Sequence, residues 1–178
     1  MITIISGTNR AGSMTQKVSQ VAADIAKSNN FEFNVIDLST LSNDFIHKDQ
    51  YNPAEIPAWL KELQEKSIID VNRFLFIAPE YNGSIPGYLK LFIDAISVHR
   101  LKECFTDKQA ALIGVASGRA GNLRGLDHLA SILQALGCNV VPGSLPISKI
   151  GSVFDENNKI DEGTKGAISN LLLKLDKA

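Results

Sequence analysis

The residues best suited to chemistry stand in three short turns, each directly after an apolar run. The first is Ser6-Gly7-Thr8-Asn9-Arg10-Ala11-Gly12-Ser13, followed by Met14 and Thr15. Its hydroxyls and amides are donors for an anion, and Arg10 carries a forked guanidinium matched to phosphate. A helix starting near Met14 adds free amides and a partial positive charge, worth about 0.3–1 kcal/mol toward an exposed anion. Gly7 and Gly12 have the spacing of a Walker loop, but Ser13-Met14 stands where Lys-Ser/Thr is required. The G-x-G-x-x-G pattern is missing too. The turn therefore suits a terminal monophosphate better than a triphosphate or a dinucleotide pyrophosphate. Ser13 is also a good helix cap, and a cap and an anion site can share one turn.

The second turn is Pro79-Glu80-Tyr81-Asn82-Gly83-Ser84-Ile85-Pro86-Gly87. Tyr81 offers a flat apolar face, and the short polar residues beside it leave backbone amides pointing outward. That makes a rim for a flat, partly polar ligand; a tight strand-to-helix connection is the plain alternative. The third turn is Ser117-Gly118-Arg119-Ala120-Gly121-Asn122, flexible through its glycines and able to meet a ligand through its backbone. One turn for an anion, one flat rim and one closing wall describe a site for a mononucleotide with a planar head. Glu80 reads as a solvated or capping acid. His47, His99 and His128 lack metal or triad spacing and read as surface or capping residues. Cys104 and Cys138 lack metal spacing and read as small buried residues.

The elements that must position these turns follow from periodicity. Strand patterns fall at Ile2–Ile5, Phe31–Leu38, Arg73–Ala78, Gln109–Ala116 and Cys138–Val141, the last broken by Pro142-Gly143. Helical spacing predicts helices from Met14 to about Lys27, over Trp59–Ile69, from Leu89 to near His99-Arg100, over Leu123–Leu136 and over Ile160–Leu175. Ser39–Pro57 has no clear period and reads as a long surface excursion, a length that usually covers or binds something. Strands alternating with helices five times imply a parallel sheet covered on both faces. Five strands favour an α/β, flavodoxin-like three-layer sandwich of order 2-1-3-4-5 over the six-stranded dinucleotide fold. Ligands then bind outside the carboxyl ends of the strands, where all three turns lie.

At 178 residues, with 44% hydrophobic residues, the chain is expected to form a single domain over 1–178. A net charge of -1 argues against a nucleic-acid or anionic-membrane partner. No apolar run is long enough to span a bilayer. Met1 leads straight into a strand pattern, without the basic region of a signal peptide, so a cytoplasmic location is expected.

The run Ser6-Gly7-Thr8-Asn9-Arg10 through Thr15, with Pro79 to Gly87, Leu89-Lys90 and Ile93-Asp94, resembles the NADPH-dependent FMN reductase family, which includes quinone, chromate and azo-dye reductases. The resemblance implies FMN as cofactor and NAD(P)H as electron donor. It implies that Thr8, Arg10, Ser13 and Thr15, with the backbone of Met14, hold the FMN phosphate. Pro79, Glu80, Tyr81, Asn82, Gly83 and Ser84 would meet the ribityl chain and the ring, with Ser117 and Gly118 near the ring's other edge. Hydride would pass to the flavin and two electrons then to a small-molecule acceptor: a quinone, an azo compound, a metal oxyanion or another flavin. No side chain is implied as catalytic and no metal is needed, because the flavin carries the chemistry. A homodimer or homotetramer is implied. Thr8 and Thr15 stand where the family usually has Ser and Asn, and Leu91 and Ala95 where it often has Asn and Trp. A flavodoxin-type electron carrier and a non-flavin binding module for another phosphorylated ligand remain the alternatives; the near-neutral charge ranks the carrier lower.

Overall fold

A computed structural model describes all of residues 1–178. Its strands are β1 Ile2–Ser6, β2 Phe33–Asp37, β3 Arg73–Pro79, β4 Gln109–Val115, β5 Asn139–Val140 and β6 Leu145–Ile147. Its helices are α1 Met14–Ser28, α2 Ala58–Gln64, α3 Gly87–Ser97, α4 Leu101–Phe105, α5 Leu123–Ala135 and α6 Glu162–Asp176. The sheet runs β2-β1-β3-β4-β5 with all pairs parallel. This is the flavodoxin-like order expected from the alternation of elements.

β1 is buried throughout, and so are β3 and β4 apart from Arg73 and Gln109. Burial on both faces is why these segments read as unbroken apolar runs. Phe74, Phe76 and Ala78 of β3 face one apolar layer, which Leu89, Phe92, Leu126 and Leu129 fill from α3 and α5. Leu75 and Ile77 face the other, filled by Val18 and Ala22 of α1 and Ile168 and Leu172 of α6. No helix is long and apolar enough to cross a membrane.

The structure corrects the sequence reading in four places. The Ser39–Pro57 excursion is not only surface. Phe45 is 1% exposed, and its ring meets Trp59, Tyr88 and Phe92 edge-on at centroid distances of 6.2, 5.5 and 6.4 Å. The helix after the second turn stops at Ser97, and the short α4 follows once Arg100 has turned the chain at φ 55. The strand broken at Pro142-Gly143 resumes as β6, which pairs with Ile113–Val115 of β4 on the same edge as β5. α6 begins at Glu162; Ile160 instead bridges to Phe154.

Candidate functional site

The first turn leaves β1 beside β3, with Gly7 N donating to Ile77 O at 2.8 Å. Ser13 caps α1, its hydroxyl accepting from Gln16 N at 3.2 Å. The Gln16 side chain braces the turn. Its Oε1 accepts from Gly12 N at 3.0 Å and its Nε2 donates to Asp37 Oδ2 at 2.6 Å. The amides of Met14 and Thr15, at the start of α1, donate to no group in the chain. Unpaired amides of this kind are what a helix start offers an anion.

The second turn is a miniature hairpin. Tyr81 N donates to Ser84 O at 2.9 Å and Ser84 N to Tyr81 O at 3.1 Å. Asn82 at φ 52 and Gly83 at φ 77 are both left-handed, the requirement of a type I′ turn and the reason for an Asn-Gly pair here. The crest amides of Asn82 and Gly83 are unpaired. Ser84 Oγ lies 2.8 Å from His128 Nδ1, so His128 is exposed but holds this turn against α5. That role was not readable from spacing alone.

The third turn is not the flexible connector expected from its glycines. Asn122 is 1% exposed, and its Nδ2 donates to Ala78 O at 3.0 Å, tying the turn to the end of β3. Gly118 O accepts from Lys149 N at 2.9 Å, tying it to the segment after β6.

The three turns enclose a cleft of about 510 Å³ at the carboxyl ends of β1, β3 and β4. Arg10, Met14 and Thr15 line it from the first turn, Pro79, Glu80, Tyr81 and Asn82 from the second, and Ser117 from the third. The other candidates stand behind it. Thr8 and Ser13 are buried beneath the first turn, while Gly83, Ser84 and Gly118 shape their turns without lining the cleft. Val115, Ala116 and Ile150 also line it and were not foreseen as site residues. Ile150 N donates to Ala116 O at 3.0 Å. It arrives on the chain leaving β6, so only that strand could have signalled it.

Residues 1–151 match the family described as NADPH-dependent FMN reductase. The chain belongs to this family. It is 30% identical over 159 residues to an NAD(P)H-dependent FMN reductase of Pseudomonas aeruginosa, covering 88% of this chain and 82% of that protein. It is 25% identical over 167 residues to a quinone reductase of Pseudomonas putida, covering 92% of this chain and 86% of that protein. In fold it is similar to the FerB flavoenzyme NAD(P)H:(acceptor) oxidoreductase of Paracoccus denitrificans, with a TM-score of 0.77, 24% identity, and coverage of 99% of this chain and 97% of that one.

As an FMN reductase family member the chain is an oxidoreductase with FMN as cofactor and NAD(P)H as donor. The residues present fit that cofactor. Unpaired amides at the α1 start and one forked cation stand at one end of the cleft. An aromatic ring and a crest amide stand at the other. This donor set suits an anionic tail and a flat, hydrogen-bonding head.

Proposed function

We propose that the cleft binds FMN and that the chain, acting as one domain over 1–178, passes two electrons from NAD(P)H to a small quinone-like acceptor. The observation that carries this reading is the shared cleft itself: Arg10, Met14 and Thr15 line it together with Tyr81 and Asn82. Arg10 and the Met14 and Thr15 amides hold the phosphate, with Thr8 and Ser13 shaping the turn beneath. Pro79, Glu80, Tyr81 and Asn82 meet the ribityl chain and ring, Gly83 and Ser84 keep their crest in place, and Ser117 and Gly118 close the far edge. Bound FMN supplies the redox chemistry, accepting hydride from the nicotinamide and delivering two electrons to the acceptor. The protein orients the two substrates against the cofactor and keeps its apolar wall, Val115, Ala116 and Ile150, free of water. The quinone class is supported by the quinone reductases among the relatives. A cytoplasmic homodimer or homotetramer is part of the same proposal.

The test is an absorption spectrum followed by anaerobic mixing with NADPH. A yellow protein that bleaches rapidly and recovers on adding a quinone is the expected result. A flavin that stays oxidised would make the protein a carrier, and a colourless protein that ignores added FMN would end the flavin reading.

A further inference from the structure

Four cations stand on the three turns or on the segments fastened to them, and none has an acidic partner. Arg10 lines the cleft and serves the phosphate reading; Arg119, Arg124 and Lys149 are not used by that reading. All four are exposed. None takes part in the seven ion pairs of the chain, and none of their side chains donates a hydrogen bond. The carboxylates on the same turns and helix are Glu80, in the cleft wall, and Asp127, on α5. Together the cations make this rim basic, although the whole chain carries a net charge of -1. Such a rim draws anions toward the opening.

The backbones that carry two of these cations are fastened together. Ser148 Oγ donates to Arg119 O at 2.6 Å, and Lys149 N donates to Gly118 O at 2.9 Å. Ser117, beside Gly118, and Ile150, beside Lys149, line the cleft that Arg10 also lines. Lys149 has φ 47 and ψ 46, a left-handed conformation costing an L-residue about 1–2 kcal/mol. A lysine therefore stands where glycine would fit more easily, and strain of this kind clusters at functional sites.

We propose that Arg119 and Lys149 form a second anion site, which takes phosphate groups of the nicotinamide donor and favours NADPH over NADH. The inference rests on the FMN reading and deepens it. NADPH differs from NADH by one phosphomonoester, the group that a forked guanidinium and an ammonium recognise best. The first anion site cannot serve, because the cofactor's own phosphate fills it. An anionic acceptor, such as a sulfonated azo dye, has related chemistry, so the experiment must separate donor from acceptor.

The experiment measures KM for NADPH, NADH, a neutral quinone and a sulfonated azo dye in FMN-loaded wild type, Arg119→Ala, Lys149→Gly and the double variant. Each single change should raise the NADPH KM about tenfold, the loss of one charge-assisted hydrogen bond. The NADH KM should rise by a clearly smaller factor, and the acceptor KM values should hold. Flavin content should be unchanged, and Lys149→Gly should keep or raise Tm because it relieves the left-handed strain. An unchanged NADPH-to-NADH ratio in the double variant overturns the proposal. So does a rise in the azo-dye KM alone, which would give the cations to the acceptor, or loss of flavin, which would place them in the cofactor site. A wild-type protein that holds no FMN sinks the earlier reading and this one with it; a flavin-loaded enzyme with an unchanged ratio sinks this one alone.

Discussion

Thr8 Oγ1 and Tyr81 OH approach to 2.8 Å although 73 positions separate them. Thr8 Oγ1 also accepts from Arg10 N at 3.3 Å, so the Tyr81 hydroxyl helps set the backbone from which Arg10 projects. A neutral hydrogen bond contributes about 0.5–1.5 kcal/mol net. Tyr81→Phe and Thr8→Val should each weaken FMN binding by about that amount, and the double variant should lose less than the sum. Strictly additive losses in a fluorescence titration would show that the bond transmits nothing to the site. Arg10 is exposed and unpaired, so Arg10→Ala should leave stability within about 0.5 kcal/mol of wild type. The same change should weaken FMN binding by about 1.5–3 kcal/mol, the range for a hydrogen bond to a charged group. Full affinity in the variant would remove Arg10 from the phosphate site.

At the scale of elements, the third turn depends on one helical glycine. Asn122 sits at φ 67 with its side chain folded over the start of α5, and its Oδ1 lies 2.1 Å from where a Cβ on Gly125 would be. In an ordinary helix interior Gly→Ala gains roughly 0.5–1 kcal/mol. Here Gly125→Ala should instead cost about 1–3 kcal/mol through overpacking, with weaker FMN binding because Asn122 can no longer hold Ala78 O. A higher Tm in the variant would contradict this packing. The three turns were legible because each follows a buried strand, and apolar strands leave polar and small residues conspicuous. The cap at Ser13 was legible for the same reason. Phe45 was not, since an isolated aromatic residue in a polar stretch has no period. α4, with five residues, and β6, with three, are too short for periodicity to show. Missing β6 also hid Ile150, and with it one wall of the cleft.

Across the whole molecule, the end of the sheet opposite the cleft holds its most unusual ionisable groups. Lys108 is 7% exposed, and its Nζ donates to Ile68 O at 2.5 Å and Ile69 O at 2.8 Å. Burial holds its pKa below the usual lysine range, pushes the Cys104 thiol up, and pushes Cys138 up to about 12. Above about pH 8.5 the unfolded chain loses thiol protons that the folded chain keeps, so each thiol lowers stability as pH rises, by up to about 1.4 kcal/mol per pH unit. Lys108 acts in the opposite sense. Between its lowered folded value and about 10.4 the unfolded chain holds a proton that the folded chain has released, so this group adds stability as pH rises. Cys138, held up to about 12 in the folded chain, carries this loss furthest, at up to about 1.4 kcal/mol per pH unit above about pH 8.5. Cys138→Ala removes one thiol and should make the alkaline fall shallower by up to about 1.4 kcal/mol per pH unit, whatever it does to stability at neutral pH. Urea unfolding at several values between about pH 8 and 10 measures the slope directly. An equally steep fall in the variant would show that the alkaline loss comes from groups other than this buried thiol.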